Sequence, residues 1–159
     1  MNRFQEIKDN PKLQDKLRGA TEVRRLIREW FRAQGFFEVE TPSLVRTPGQ
    51  EPYLSPFETV VRDEHGVETP ARLITSPEYA LKKLLVAGFY KVFELARCFR
   101  NDEPTGGLHN PDFTLLEWYR AGTDYRGIMD DVEQMVHFVS QKLPITSYSP
   151  TSECNPELA

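Results

Sequence analysis

The sequence predicts an α+β fold in which an antiparallel sheet is flanked by helices. Segments with helical periodicity, residues 15–34 and 125–142, lie toward the two ends of the chain. Residues 93–120 contain two strand-like segments joined by a long, charged, glycine-containing loop, and shorter strand-like segments precede them. At 159 residues the chain is long enough to form one domain with a hydrophobic core.

The first predicted helix covers residues 15–34 and follows an N-terminal extension, residues 1–14. Its apolar residues recur at the spacing of one helix face. They are Leu17, Val23, Leu26, Ile27, Trp30 and Phe31. Gly35 follows them and is a candidate C-cap, because glycine readily adopts the left-handed conformation that ends many helices.

Short strands are predicted after this helix. Residues 36–41 form a strand that stops at Pro42, and residues 43–56, which are rich in Pro, Ser, Thr and Gly, form a loop. Residues 57–62 and 67–74 form two strands on either side of a turn.

A third group of signals predicts a helix that begins at Ser76, Pro77 and Glu78 and ends near residue 87. Serine favours the N-cap, proline favours the first helical position, and an acid in the first turn suits the helix dipole. These three residues therefore form a helix start whatever their further role.

The last predicted helix, residues 125–142, begins after Asp124 as its N-cap. Its predicted buried stripe consists of Ile128, Val132, Met135, Val136 and Val139. Residues 144–159 show no periodicity and are rich in Ser, Thr and Pro, so we expect a poorly ordered tail.

Composition limits the class of protein. A net charge of −4 gives no support for RNA binding, and the basic clusters are expected to be solvated helix faces. No apolar run is long enough to cross a bilayer, and the N-terminus lacks the apolar core of a signal peptide. Cys98 and Cys154 lie far apart, and the three histidines form no zinc-binding pattern. We therefore expect a cytoplasmic protein without a structural metal site and without a membrane partner.

The pleat of the two strands in residues 93–120 gathers chemically active side chains. Side chains alternate between the faces of a strand, so each strand has one apolar face and one mixed face. The mixed faces together hold Glu94, Arg100, Phe113, Glu117 and Tyr119. An arginine suits phosphate, an aromatic ring suits a base, and carboxylates suit an amine. This combination predicts a site for a nucleotide and an amino acid.

Three ordered motifs resemble class II aminoacyl-tRNA synthetases. The second signature motif of that family is similar to FRNDE, a loop, and HNPDFTLLEWY, between residues 99 and 119. The first is similar to a helix that ends at Gly35 followed by FFEVETP, which ends at Pro42. Residues 73–88, LITSPEYALKKLLVAG, resemble the lysine branch, and most closely its short members that attach lysine to elongation factor P. The likeness covers roughly residues 15–143.

This resemblance implies an ATP site. Arg100 would be the catalytic residue, binding the α-phosphate of ATP and the carboxylate of the amino acid, and Phe113 would stack on adenine. The implied ATP-binding residues are Arg100, Asn101, Asp102, Glu103, His109, Asn110 and Phe113. The alternatives remain open: an ion pair of Arg100 with Asp102 or Glu103, an exposed loop histidine, and a core aromatic.

The resemblance also implies an amino-acid site. Its residues would be Ser76, Pro77, Glu78, Glu117 and Tyr119, with Glu78 pairing the α-ammonium group. The alternatives are a simple helix start for the first three residues and ordinary strand-face filling for the last two. A carboxylate that faces a core is costly without a partner, and a bound ammonium would supply that partner.

The function implied is ATP-dependent activation of lysine as lysyl-adenylate, with Mg²⁺, and transfer of the lysyl group to a lysine of elongation factor P. Few residues precede the first motif, which favours this acceptor over tRNA. The alternatives are a catalytic fragment of a lysine–tRNA ligase and a remnant that binds a nucleotide or partner without turnover. The first motif implies a homodimer. Because no third, glycine-rich motif follows, the chain is expected to be a catalytic domain truncated before that motif.

Overall fold

The computed structural model describes residues 3–104 and 109–143 and confirms the α+β class. The helices are α1 (Arg3–Asp9), α2 (Pro11–Ala33), α3 (Glu78–Val86) and α4 (Tyr125–Lys142). The strands are β1 (Phe37–Glu38), β2 (Leu44–Val45), β3 (Glu58–Arg62), β4 (Glu68–Leu73), β5 (Lys91–Phe99) and β6 (Asp112–Arg120). The predicted tail, residues 144–159, lies outside the described residues. None of the described helices is long and apolar enough to cross a membrane.

The strands form two three-stranded sheets. One has the order β1-β5-β6 and the other the order β2-β4-β3. All neighbours are antiparallel except β1, which lies parallel to β5. A parallel pair needs a long crossover, and the second sheet and α3 lie between β1 and β5 in the chain. The predicted antiparallel pairing is found in the β2–β4, β3–β4 and β5–β6 pairs.

The predicted strand over residues 36–41 is too long, because the ladder ends early. The N–H of Val39 still donates to the carbonyl of Phe93 at 3.0 Å, but the N–H of Thr41 donates to the side chain of Glu94. Pro42 has no N–H to continue the pairing. The β1 strand is thus two residues long, and its end is held by a side chain.

The prediction of a continuous loop over residues 43–56 is wrong. Leu44 pairs with Leu73, and Val45 pairs with Arg72, so β2 forms the edge of the second sheet. The segment is too short to show a period of two, and the surrounding prolines and serines are typical of a loop. The two hairpin strands predicted at 57–62 and 67–74 are confirmed as β3 and β4.

The first long helix begins earlier than predicted, and the extension before it is helical as α1. Asn10 caps α2, because its Oδ1 atom accepts the N–H of Leu13 at 3.2 Å and Pro11 takes the first helical position. The predicted end is confirmed: Gly35 has a φ of 78°, and its N–H donates to the carbonyl of Arg32 at 3.0 Å. Leu17, on the predicted apolar face, is exposed.

The start of α3 differs from the prediction by one position. Pro77, not Ser76, occupies the N-cap, and Ser76 Oγ accepts the N–H of Glu78 at 3.1 Å. The start of α4 is as predicted, because Asp124 Oδ1 accepts the N–H groups of Arg126 and Gly127 at 3.0 and 3.3 Å.

The predicted buried stripe of α4 is partly wrong. Val132 and Val136 are 40% and 55% exposed, whereas Asp131 is buried. Ile128, Met135 and Val139 are half-buried. The line of lowest exposure therefore passes through Asp131, one residue before Val132. A periodicity argument that counts only apolar residues does not consider this aspartate.

The chain divides into two compact units, residues 1–30 with 129–159 and residues 31–128. In the first unit Leu26 and Trp30 are buried. In the second, the Phe31 ring stacks on Phe93 with centroids 4.6 Å apart. A further cluster, on the opposite face of the β5–β6 pair, consists of Ile74, Ala96 and Cys98 with Val45, Phe113 and Leu115 packed against it. Every predicted site residue belongs to the second unit.

Candidate functional site

The register of β5 and β6 brings the two predicted mixed faces together. Glu94 lies directly opposite Glu117, and Cys98 lies opposite Phe113. Residues that face each other in a sheet project to the same side. Arg100 follows the end of β5, where its N–H donates to the carbonyl of Pro111 at 2.9 Å. On this face Glu94, Glu117 and Tyr119 lie toward one end and Arg100 at the other, with the buried Ala96 and Cys98 between them.

Glu117 is the centre of a hydrogen-bonded group at one end of this face. Ser76 Oγ donates to its Oε2 atom at 2.7 Å, and the Tyr119 hydroxyl donates to its Oε1 atom at 2.9 Å. Both donors are neutral, so each carboxylate oxygen has a hydrogen-bond partner and neither is in an ion pair with them. Burial, and then the bond to Glu117, raises the pKa of Tyr119, so the phenol stays protonated. We call these three residues the acid centre.

The acid centre is connected to the start of α3. Because Ser76 Oγ also accepts the N–H of Glu78, it fixes the position of the first helical turn. Pro77 is fully buried, and the carboxylate of Glu78 forms an ion pair with Lys82 one turn further along the helix. Ser76, Pro77 and Glu78 therefore form the predicted helix start, and Ser76 also belongs to the acid centre.

Glu94 is a site residue to which the sequence assigned no role. It is 3% exposed, and its two carboxylate oxygens accept the N–H and the hydroxyl of Thr41, each at 2.9 Å. Burial raises the pKa of this carboxyl, the bonds from Thr41 oppose the rise, and the charges of Glu40 and Glu117 add to it. The register of β5 and β6, which sets Glu94 opposite Glu117, could have identified this residue. Register depends on how two strands pair, so the sequence of one strand does not give it.

Arg100 lies at the other end of the face, over the ring of Phe113. The guanidinium carbon is 5.0 Å from the ring centroid, a cation–π distance. The Nε atom is buried and has no hydrogen-bond partner among the described residues. Within that same part of the chain, Arg100 forms no ion pair with Asp102 or Glu103. The ion pair that stood as the alternative to a functional role is thus not formed among the described residues.

Phe113 has the packing role that stood as the alternative to stacking on adenine. It is half-buried against Cys98 and its neighbours, as a core aromatic would be, and its ring is also covered by the Arg100 side chain. The structure therefore shows the packing role directly, while adenine stacking stays a prediction.

The loop residues with predicted ATP contacts lie at the two ends of the loop. The N–H of Asn101 donates to the carbonyl of Ser55 at 2.7 Å, and Asp102 has a φ of 57°. Glu103 is half-buried, and His109 and Asn110 are exposed. Residues 105–108 between them lie outside the described part. The structure thus places these side chains beside Arg100 in the chain but shows no contact of theirs with the acid centre.

A cavity of about 870 Å³ borders the acid centre. Ser76 and Pro77 line it on one side. Its other lining residues include Thr41, whose N–H and hydroxyl donate to Glu94, and Gly49 from the loop after β2. Most of the remaining lining is apolar, with Lys83 and Glu40 among the charged residues. A small molecule that contacts Ser76 could extend into this space.

Two other kinds of site, a cysteine nucleophile and a metal centre, find little support among the described residues. Burial raises the pKa of the Cys98 thiol to about 12, so it is a packing residue and not a nucleophile at neutral pH. No group of three or more His, Cys, Asp or Glu side chains within residues 3–104 and 109–143 is arranged to hold a metal ion.

Comparison with known proteins identifies related sequences. A family model described as tRNA synthetases class II (D, K and N) matches residues 1–156. The relatives include three proteins named elongation factor P–(R)-beta-lysine ligase. That of Haemophilus ducreyi is 41% identical over 124 residues, and that of Pseudoalteromonas translucida is 41% identical over 123 residues. Each of these matches covers 77% of this chain and 38% of the relative.

The third relative, from Salmonella arizonae, is 42% identical over 130 residues, which is 81% of this chain and 38% of the relative. The chain therefore spans about 38% of the length of the curated relatives that it matches.

Proposed function

The chain belongs to the class II tRNA synthetases (D, K and N), and we propose that it carries the ATP- and amino-acid-binding part of a ligase that modifies elongation factor P. The names of the relatives specify (R)-β-lysine as the amino acid. The sequence-based expectation was lysine. We therefore take (R)-β-lysine as the first substrate to test and lysine as its comparator.

The observation that carries this proposal is the separation of charges on one sheet face. The carboxylate of Glu117 lies toward one end and is hydrogen-bonded by Ser76 and Tyr119. A guanidinium with an unused donor, Arg100, lies at the other end. An amino acid has a cationic amine and an anionic carboxylate, so its amine suits Glu117 and its carboxylate suits Arg100.

The first step would be amino-acid activation. A carboxylate oxygen of the amino acid attacks the α-phosphorus of ATP, a new P–O bond forms, and the bond to the pyrophosphate oxygen breaks. The products are the aminoacyl-adenylate and pyrophosphate. Arg100 would bind the α-phosphate and stabilise the charge that develops there, with Phe113 holding its side chain in position. Mg²⁺ would arrive as the complex with ATP, as a substrate component.

The second step would be transfer. The ε-amine of a lysine of elongation factor P attacks the carbonyl carbon of the adenylate, an amide bond forms, AMP leaves and a proton is lost. This step needs no covalent nucleophile from the enzyme, and the buried Cys98 would not supply one. Positioning and electrostatic stabilisation supply the rate. The ligase would act in the cytoplasm, and the first motif would form a homodimer that sedimentation analysis can test.

The test of activation is (R)-β-lysine-dependent exchange of pyrophosphate into ATP. We expect exchange by the 159-residue chain, and an Arg100→Ala loss of about a hundredfold or more. Arg97→Ala is the matched control, because Arg97 lies on the opposite face of β5 and pairs with Asp112. A folded chain that exchanges pyrophosphate with neither amino acid would contradict the proposal.

A second candidate acceptor is tRNA, because the matching family is named for tRNA synthetases. Both acceptors share the activation step, so only the transfer step distinguishes them. Parallel reactions with elongation factor P and with tRNA would assign the acceptor, and aminoacylated tRNA without modified factor would favour this alternative.

A further inference from the structure

The second sheet ends in a strand whose outer edge is open. β3 is the last strand in the order β2-β4-β3, so among the described residues it pairs with β4 alone. Every residue of β3 is exposed, and Val60 and Val61 are 50% and 45% exposed. Native proteins rarely leave such an edge unprotected, because it is a template for another strand. This edge therefore needs either a partner or side chains that keep other strands away.

The ladder shows which backbone groups of β3 point to the open edge. The N–H of Leu73 donates to the carbonyl of Phe57 at 3.0 Å, just before the strand begins. The N–H of Asp63 donates to the carbonyl of Val67 at 3.1 Å, just after it ends. The odd-numbered residues between these bonds therefore direct their N–H and C=O groups toward β4, and the even-numbered residues direct theirs to the open edge. The even-numbered residues are Glu58, Val60 and Arg62.

The side chains of these three residues make the edge complementary to itself. Glu58 and Arg62 lie on either side of Val60, share its face of the sheet and carry opposite charges. If a second copy of β3 lies antiparallel with the partner's Val60 opposite Val60, Glu58 lies opposite the partner's Arg62. The symmetry repeats this pair with Arg62 and the partner's Glu58. Each opposed pair would also exchange backbone hydrogen bonds through the groups that point to the edge. Charges of one sign, the usual protection of an edge, would instead repel a second copy.

The ion pairs within the β3–β4 hairpin extend this complementarity. Arg72 lies opposite Glu58, and its guanidinium is 2.8 Å from the Glu58 carboxylate. Arg62 forms an ion pair with Glu68, which lies opposite it. In the paired sheet a row of alternating charges would run from Arg72 through Glu58 to the partner's Arg62 and the partner's Glu68. Opposite charges on adjacent strands stabilise a sheet, so this row favours the register that places the two Val60 residues together.

We propose that β3 is a self-association edge, at which two copies of this chain pair through antiparallel β3 strands around a two-fold axis at Val60. The partner's sheet would continue this one, in the order β2-β4-β3 followed by the partner's β3-β4-β2. The contact uses no residue of the proposed ATP and amino-acid sites and none of the first motif. It is therefore an interface of its own, beside the one that the first motif would form. A contact through one short strand is small, so the pairing is reversible and depends on the concentration of the chain.

Cysteine cross-linking tests the position of the two-fold axis. The Cα atoms of a directly opposed, hydrogen-bonded pair are about 5.5 Å apart, a distance that a disulfide spans. In a Cys154→Ser background, Val60→Cys should form a covalent dimer under mild oxidation, visible on a denaturing gel. Val67→Cys is the matched control, because Val67 is 59% exposed but lies between β3 and β4 and off the open edge. A yield for Val60→Cys no higher than that for Val67→Cys would overturn the proposal.

Charge reversal tests whether the ion pairs select this register. On the Val60→Cys chain, Glu58→Arg leaves only arginines on the edge and Arg62→Glu leaves only glutamates. Each change should slow cross-linking about tenfold, because like charges then lie opposite each other. Glu64→Arg is the matched control, because the Glu64 side chain is 87% exposed in the turn after β3, and it should leave the rate unchanged.

Mixing the two charge-reversed chains provides the rescue. Every arginine then lies opposite a glutamate, so the mixture should cross-link as fast as the Val60→Cys chain, and a mass tag on one chain should identify the product as the mixed dimer. Thermal melts check that both variants fold, and the exposed ion pairs that they lose contribute little to stability. Equal rates for the Val60→Cys chain and both variants, or a mixture that cross-links no faster than each variant alone, would overturn the proposal.

Discussion

Replacing Glu94 tests two roles of its buried carboxylate. Its hydrogen bonds to Thr41 hold the end of β1, and its charge lies opposite Glu117. Glutamine can preserve both contacts with Thr41, because its oxygen can accept the backbone N–H and its amide can donate to the hydroxyl. Alanine preserves neither. It removes two hydrogen bonds of 2.9 Å and leaves a cavity, so we expect Glu94→Ala to lower the free energy of unfolding by about 2–4 kcal/mol.

The charge of Glu94 gives a pH-dependent signature that the hydrogen bonds do not give. Burial raises its folded-state pKa above the ordinary value of 4.5, so the folded state binds the proton more tightly than the unfolded state. Its stabilising contribution is therefore fully present below pH 4.5 and is lost as the pH rises through the folded-state pKa. If the folded state binds the Glu94 proton ten times more tightly than the unfolded state, about 1.4 kcal/mol of stability is lost at high pH.

Thermal melts of the chain and of both Glu94 variants between pH 4 and pH 8 provide the assay. Relative to Glu94→Gln, the unmodified chain should lose stability as the pH rises over this range. Glu94→Ala should be less stable than Glu94→Gln at every pH. A stability difference between the chain and Glu94→Gln that does not change with pH would refute the account of the buried charge. Equal stability of the two variants would refute the account of the Thr41 contacts.

Three further predictions follow from single residues. Ser76→Ala removes the donor to Glu117 Oε2 and should weaken amino-acid binding about five- to tenfold in calorimetry, whereas Thr59→Ala, on β3, should not. Gly35→Ala should lower the unfolding free energy by about 1 kcal/mol in denaturant titrations, because its φ of 78° strains an L-residue. Gly19→Ala, inside α2, should instead raise it, and a change in the same direction for both variants would contradict this. Cys98 should resist alkylation at pH 8 until the protein unfolds, and rapid labelling in the native state, seen by peptide mapping, would disprove its burial.

The sequence predicts the parts of the site that depend on local periodicity. The alternation of side chains in β5 and β6 correctly groups Glu117 and Tyr119 on one face with Arg100 at its end, because the pleat has a fixed period of two. The Asp124 cap and the Gly35 turn are likewise confirmed, because each depends on a few neighbouring residues.

What the sequence does not predict depends on contacts between distant residues. Thr41 and Glu94 are 53 positions apart, and their bonds exist only once β1 lies beside β5. The two-residue strand β2 is set by its partner β4 and not by its own composition. The Asn10 cap is an exception, because its signal was local and was not recognised.

Intact-mass measurement of elongation factor P after incubation with this chain, ATP and (R)-β-lysine tests the central claim most directly. The account predicts that the factor gains the mass of one β-lysyl group, that AMP is released in equal amount, and that Arg100→Ala abolishes both. A factor of unchanged mass in a reaction where the folded chain aminoacylates tRNA, or forms no adenylate at all, would contradict it.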